Sequence, residues 1–232
     1  MGRYILHIDT SSSRGLVMIS QSGKPITFRV NTNAFAHASF LQPAVKELLE
    51  ELEIDKSEII CIAVANGPGS YTGLRVGLAA AKGLCYAWQL PLITLSSLFI
   101  MAKAMQDLTI TNQNEFVENI AFVPMIDARR MEVFFALYSN IGLNTIIDPS
   151  PVVIDGNFLV NELQNSILYF SGDGASKWQN LCLSENARFI NLPHLEHAFA
   201  YCAFQAALKQ EWADIAYSEP FYKKDFYTPI KF

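Results

Sequence analysis

Asp9, Thr10 and Ser11 close the first apolar run of the chain, and a carboxylate beside two hydroxyls at the end of a strand can hold magnesium and phosphate oxygens. Asp127 closes a second apolar run, and Asp173 stands between Gly172 and Gly174. These acids, with Ser11, are the candidates for a nucleotide site. The competing use is local: Asp at a turn satisfies nearby backbone N–H groups, and a phosphate cradle asks for more glycines than surround Asp9. His194 and His197 flank Glu196, but a zinc hydrolase needs histidines four apart on a helix and a third ligand, so the group reads as a helix start with solvated imidazoles. His7 reads as a strand residue and His37 as a helix-entry residue. Spacing supplies no Ser, His and Asp grouping, so neither a catalytic residue nor a metal is expected.

The stretch 66–85, NGPGSYTGLRVGLAAAKGLC, follows a continuous apolar run at Ile59–Ala65, the pattern of a strand buried on both faces. Gly67, Pro68 and Gly69 turn the chain, and Ser70 or Thr72 can cap the helix that follows. A glycine turn entering a helix can receive an anion. Neither common nucleotide motif is present, however. The P-loop requires lysine after Gly73, where Leu74 and Arg75 stand, and the dinucleotide fingerprint requires a third glycine where Thr72 stands. A tight strand-to-helix corner is the better reading. Within the helix Gly73, Gly77, Ala81 and Cys85 recur every fourth residue, a narrow stripe of small side chains that fits either the protein's own sheet or a helix of another chain. Glycine inside a helix costs about 1 kcal/mol relative to alanine, so Gly73, Gly77 and Gly83 imply close packing that offsets it. Arg75 in the first turn opposes the helix dipole, which predicts a carboxylate nearby, from this chain or a partner.

Around these groups strands and helices alternate. Residues 4–9, 15–21 and 24–30 read as an antiparallel meander, and 39–53 as an amphipathic helix with Leu41, Val45, Leu48, Leu49 and Leu52 on one face. A short strand at 91–94 leads to a helix from about Ser96, and the polar stretch 109–119 reads as a connector. Residues 120–127, 132–139 and 141–148 then repeat the opening pattern of strand, Asp, polar turn and strand, as if one unit were used twice. A strand at 167–170 and a helix at 197–212 follow, the helix with Phe199, Cys202, Ala203, Ala206 and Trp212 near one face. The tail carries Phe221, Tyr222, Phe226 and Tyr227 and is expected to be strapped onto a lobe. The 232 residues are 51% hydrophobic and 17% charged with net charge −5, ample for a core and unlike a stand-alone nucleic-acid binder. Four scattered cysteines without a Cys-x-x-Cys pair suit a reducing cytosol. No signal-peptide core, membrane-length apolar run or myristoylation pattern is read, so a cytoplasmic protein is expected.

Residues 67–77, GPGSYTGLRVG, resemble the signature of the TsaB (YeaZ) family, partner subunits of the bacterial machinery that makes N6-threonylcarbamoyladenosine in tRNA, with Tyr71 where the family usually carries Phe. Asp127-Ala128-Arg129 with Glu132-Val133, Gly172-Asp173-Gly174, Pro220-Phe221-Tyr222 with Lys224 replacing Arg, and His37 with Leu41 and Pro43 extend the resemblance over nearly the full length. It implies an α/β fold of two ribonuclease-H-like lobes of the actin-like ATPase (ASKHA) superfamily, residues 1–105 with the tail 213–232, and residues 106–212. It also implies a non-catalytic subunit that pairs with TsaD, with the ATPase TsaE assisting, while TsaD transfers threonylcarbamoyl to the adenosine beside the anticodon. TsaD relatives use an HxxxH metal pair, a spacing this sequence lacks. The implied partner surface lies on the helices at 39–53 and 72–88, at Phe40, Leu41, Tyr71, Gly73, Leu74, Arg75, Gly77, Leu78 and Ala81. Unpaired, the same helices invite homodimerisation. No cofactor is expected on the chain alone; nucleotide would bind only at a junction with TsaD, leaving Asp9, Ser11 and Asp173 as vestigial cofactor-binding candidates, and tRNA would be met only through the complex. The alternative is a stand-alone actin-like nucleotide hydrolase or glycoprotease-like metallopeptidase, using Asp9, Asp127 or Asp173 for magnesium-nucleotide or the histidines for metal.

Overall fold

A computed structural model describes residues 4–112, 119–192 and 194–221, without the side chains of 34 and 110–112. The chain opens with β1 (Tyr4–Asp9), β2 (Gly15–Gln21) and β3 (Lys24–Asn31), paired antiparallel. Ser22 and Gly23, both at positive φ, make the tight turn whose twist matches a hairpin. After α1 (His37–Glu51), β4 (Ile59–Ala65) pairs parallel with β1, and α2 (Tyr71–Trp88) crosses over to β5 (Leu92–Leu95). The strand order is β3-β2-β1-β4-β5. Helices on both faces bury β4 except for the half-buried Ile60, hence its unbroken apolar sequence.

Following α3 (Ser97–Asn112), the unit recurs as β6 (Ile120–Asp127), β7 (Glu132–Ser139), β8 (Thr145–Val153), α4 (Val160–Asn165), β9 (Ile167–Ser171), α5 (Ala175–Gln179) and β10 (Ala187–Phe189), ordered β10-β9-β6-β7-β8. Read from β8, this is the same succession of antiparallel and parallel partners as in the first sheet. Two ribonuclease-H-like lobes thus form an actin-like pair. The third strand of the second meander begins at Thr145 rather than at the expected 141, because Gly142 and Leu143 take positive φ and turn the chain first.

The last helix, α6 (Glu196–Leu208), is shorter than the sequence pattern predicts, and Trp212 lies beyond it, beside the bridge between Leu92 and Ala213. Its small residues Ala198, Ala203 and Ala206 let it lie close against Ile5, Met18, Cys61 and Ala63 of the first sheet. So the chain has rejoined the first sheet by Glu196, and the boundary expected near Trp212 falls earlier. Nor does a boundary fall at Met105. Ile100 and Ala104 of α3 pack on the first sheet's core, while Leu98, Met101, Ala102 and Met105 pack on the second's. The other face of the first sheet is covered by α1 and α2, through Leu41, Leu48, Leu78 and Ala81. The expected connector is helical to Asn112, and residues 113–118, like the tail beyond Phe221, lie outside the described residues. Among the described residues no helix is long and apolar enough to cross a membrane.

Candidate functional site: an interlobe cleft and the outer face of the first lobe

The glycine corner between β4 and α2 is built against the chain's own first strand. Ser70 N–H donates to the Ser11 carbonyl at 2.6 Å, and Ser70 Oγ caps α2 by accepting from Gly73 N–H at 3.3 Å. Thr10 Oγ1 donates to the Gly73 carbonyl at 2.7 Å. A β-carbon at Gly69 would land on the Ser11 carbonyl, one at Gly73 on the Thr10 carbonyl and one at Gly77 on Thr10 Oγ1. The small-residue stripe therefore serves internal packing, and its expected role as a free ridge for a neighbouring subunit is corrected: Gly73, Leu74, Gly77, Leu78 and Ala81 are buried, as is Leu41 on α1. The physical reason is proximity, since α2 must lie on β1 before any visitor can reach it. Of the expected partner residues, Tyr71 and Arg75 are exposed and Phe40 is half-buried. The Arg75 guanidinium lies 4.0 Å from the centroid of the Tyr71 ring, so an aromatic face stands where a carboxylate was predicted. Beside them Thr72, Ala79, Gly83 and Tyr86 complete an outward face, and a β-carbon at Gly83 would meet nothing within 4 Å.

The lobes enclose a cleft of about 840 Å³ that gathers residues far apart in sequence. Asp9 and Ser11 to Ser13 reach it from the end of β1, Ser70 to Thr72 from α2, Asp127 and Arg129 from the end of β6, and Asp173 from the turn after β9, over an apolar floor that includes Ile100, Phe134 and Phe221. The cofactor candidates Asp9, Ser11 and Asp173 thus share one site with Asp127. Each acid already has a partner. Asp9 Oδ1 accepts from Ser11 N–H at 2.8 Å, and burial pushes its carboxyl above the ordinary range against the opposing pull of Ser11, Arg14 and His37. Asp173 Oδ1 accepts from Asp127 N–H at 2.8 Å. Burial would raise the Asp127 carboxyl too, but Lys177 Nζ at 2.5 Å and the Arg129 N–H outweigh it and hold the group below its usual range.

Two ion pairs that spacing did not signal consume nearby cations. Arg14, in the loop after β1, pairs with Glu196, an acid buried in the first turn of α6. Lys177, on α5, pairs with Asp127. Their partners come from unrelated elements, since Arg14 lies in a loop and Asp127 ends a strand while Glu196 and Lys177 stand on helices. His37 is buried at the start of α1, with Nε2 3.0 Å from the Ser12 carbonyl, and so supports the cleft loop from behind. His7 is buried in β1 with Nε2 2.7 Å from Ser20 Oγ and its ring edge-on to Phe199. His194 and His197 are exposed. Among the described residues no group of three or more His, Cys, Asp and Glu is placed to hold a metal ion. Behind α2, the segment leading to Phe221 runs back to the cleft: Lys82 Nζ donates to the carbonyls of Ala216 at 3.1 Å and Ser218 at 2.8 Å, and Phe221 N–H donates to the Asn66 carbonyl at 2.7 Å.

Residues 32–222 match the family model described as TsaD, tRNA N6-adenosine threonylcarbamoyltransferase. The tRNA threonylcarbamoyladenosine biosynthesis protein TsaB of Bacillus subtilis is 30% identical over 172 residues, 73% of this chain and 71% of that protein. The chain belongs to the TsaB family. Its counterpart of the same name in Haemophilus influenzae is 33% identical over 135 residues, 57% of this chain and 52% of that protein. YeaZ from Pseudomonas aeruginosa has the same fold, with a TM-score of 0.75 at 23% identity over 95% of this chain and 99% of that one. For a TsaB-family chain the glycine signature now has a physical reason: at Gly69 the turn, and at Gly73 and Gly77 the helix α2, touch the backbone or side chain of residues 10 and 11.

Proposed function

We propose that this chain is a non-catalytic subunit of tRNA threonylcarbamoyladenosine biosynthesis that pairs with a TsaD transferase through the outer face of α1 and α2. The observation that carries this reading is the uncovered face of α2, where Tyr71, Arg75, Ala79 and Gly83 face outward and small residues leave room for a neighbouring helix. Membership of the TsaB family supports the pathway. With net charge −5 the chain meets tRNA only through its partners, TsaD and TsaE, in the cytoplasm. On this reading the chain alone has no resident cofactor and nucleotide would bind only at a junction with TsaD; the three carboxylates of the cleft, set against Arg129 as the lining cation, support it. The test is co-elution with TsaD in size-exclusion chromatography. Ala79→Arg and Gly83→Arg, both on the exposed face, abolish co-elution while leaving circular dichroism unchanged; co-elution that survives in both removes the interface from α2.

A second reading, a stand-alone nucleotide hydrolase, is favoured by the meeting of Asp9, Asp127 and Asp173 in one cleft. Calorimetry with magnesium-ATP on the isolated chain separates the two. Micromolar binding lost in Asp9→Ala supports the hydrolase, and no heat supports the subunit.

A further inference from the structure

The segment that leads out of α6 is fastened at three points on its way to the cleft. Ala213 bridges to Leu92 of β5, Lys82 Nζ donates to the carbonyls of Ala216 and Ser218, and Phe221 N–H donates to the Asn66 carbonyl at 2.7 Å. The corner glycine makes room for this arrival. Gly67 has φ +109°, and a β-carbon there would stand 3.3 Å from the Phe221 carbonyl. Phe221 itself lines the interlobe cleft. In a chain of net charge −5, the eleven residues that follow it carry Lys223, Lys224 and Lys231 against one acid, Asp225, together with the rings of Tyr222, Phe226, Tyr227 and Phe232.

We propose that the cleft is the seat of a basic, aromatic segment of this same chain, residues 222–226. Charge and polarity agree with that occupant. Lys223 and Lys224 meet a rim of Asp9, Asp127 and Asp173, with Arg129 as the lining cation. Asp127 and Asp173 are exposed, and among the described residues each makes its bonds through Oδ1, which leaves Oδ2 of each for an incoming cation. Between these acids the floor is apolar, with Ile100, Met101, Ile126, Phe134 and Leu195, and it takes the rings of Tyr222 and Phe226 out of water. At about 840 Å³ the cleft has room for the residues nearest Phe221 rather than for all eleven. Because Phe221 is already pinned at the cleft, the segment is present there at an effective concentration on the order of millimolar, so modest contacts suffice to hold it. In the isolated chain Asp9 and Asp173 are then screened by the chain's own lysines. This seat needs no TsaD, so loss or survival of co-elution in the α2 variants leaves it untouched.

Photo-cross-linking of the full chain locates the segment. With p-benzoylphenylalanine in place of Phe226, irradiation joins position 226 to peptides that contain residues 97–101, 126–129 or 173 of the same molecule. An equal mixture with heavy-isotope-labelled chain gives no mixed products. Lys223→Glu together with Lys224→Glu lowers that yield about 10-fold, the scale of losing two exposed ion pairs. Trypsin gives a second reading, measured against cleavage at Lys56 ahead of β4. Cleavage after Lys223 and Lys224 runs about 10-fold faster in the chain carrying Asp127→Asn and Asp173→Asn than in the wild type, with unchanged circular dichroism. Asparagine keeps the oxygens that accept from the Arg129 and Asp127 N–H groups, so the variant removes charge and leaves the turns. Cross-links that fall on β3 or on the outer face of α2, or that join labelled to unlabelled chains, overturn the proposal. Equal cleavage rates in the two chains overturn it as well.

Discussion

The two lobes share a strand order and part company in their helices. Where the first lobe places the 15-residue α1 and the 18-residue α2, the second places α4 with six residues and α5 with five. Both lobes turn the corner after the fourth strand on glycine. At Gly172, φ +103°, a β-carbon would land on the Met125 carbonyl, as one at Gly73 would land on that of Thr10. The corner therefore does not set the helix length. In the first lobe a long helix of small residues lies flush on the sheet, and its far side becomes a surface. In the second, Trp178 packs against Phe158 and Phe170 at ring centroid distances of 5.4 and 4.8 Å, filling with aromatic bulk what a longer helix would have covered. One topology thus yields a long outward helix face in the first lobe and a counterweight in the second that closes the cleft.

This contrast can be broken at its two anchors. Gly73→Val has the largest expected effect, a loss above about 4 kcal/mol, because the new branch meets backbone that cannot retreat; the variant is expected in the insoluble fraction. Trp178→Ala should cost about 3–5 kcal/mol in denaturant unfolding, and a loss below about 2 kcal/mol would mean the ring cluster does not hold the second lobe. The first lobe also carries a pH dependence from His7. Burial holds this imidazole near pKa 3, below its ordinary 6.5, so the unfolded chain binds the proton first as the pH falls. Stability is whole above about pH 7 and declines as the pH drops through 6.5 toward 3, by about 2 kcal/mol at pH 5. Urea unfolding at pH 7 and pH 5 checks this, with a flatter difference expected in His7→Gln. Gly83→Ala sharpens the comparison in the other direction: its β-carbon enters open space, so the helix gains about 1 kcal/mol and the midpoint rises by about 2–4 °C. Smallest is Lys177→Met, less than about 1 kcal/mol, because Asp127 remains open to water.

Local pattern made much of this architecture readable beforehand. The unbroken apolar run of β4, the limits of α2 and the doubled strand-Asp-turn-strand unit each depend on neighbours in sequence, and each appears where the pattern puts it. What pattern could not supply is allegiance between distant segments. The spacing of Gly73, Gly77 and Ala81 shows that a backbone comes close, and only the fold shows that it belongs to β1. Likewise the alanine-rich face of α6 announces burial without naming the sheet, so the pattern puts the helix in the second lobe while it packs on the first. Residue type marks Asp9, Asp127 and Asp173 as candidates one by one, and only the fold puts them in a single cleft. The Arg14 to Glu196 pair left no trace in spacing, since it joins a loop to a helix at the opposite end of the chain.

α3 carries a further consequence. Because one side of it completes the first core and the other side the second, neither lobe can melt alone without stripping a wall from its neighbour. The return path before α6 sets Leu192 and Leu195 against both cores as well. Heating should therefore produce a single transition whose calorimetric and van't Hoff enthalpies agree, the thermal signature of one cooperative block despite its two sheets.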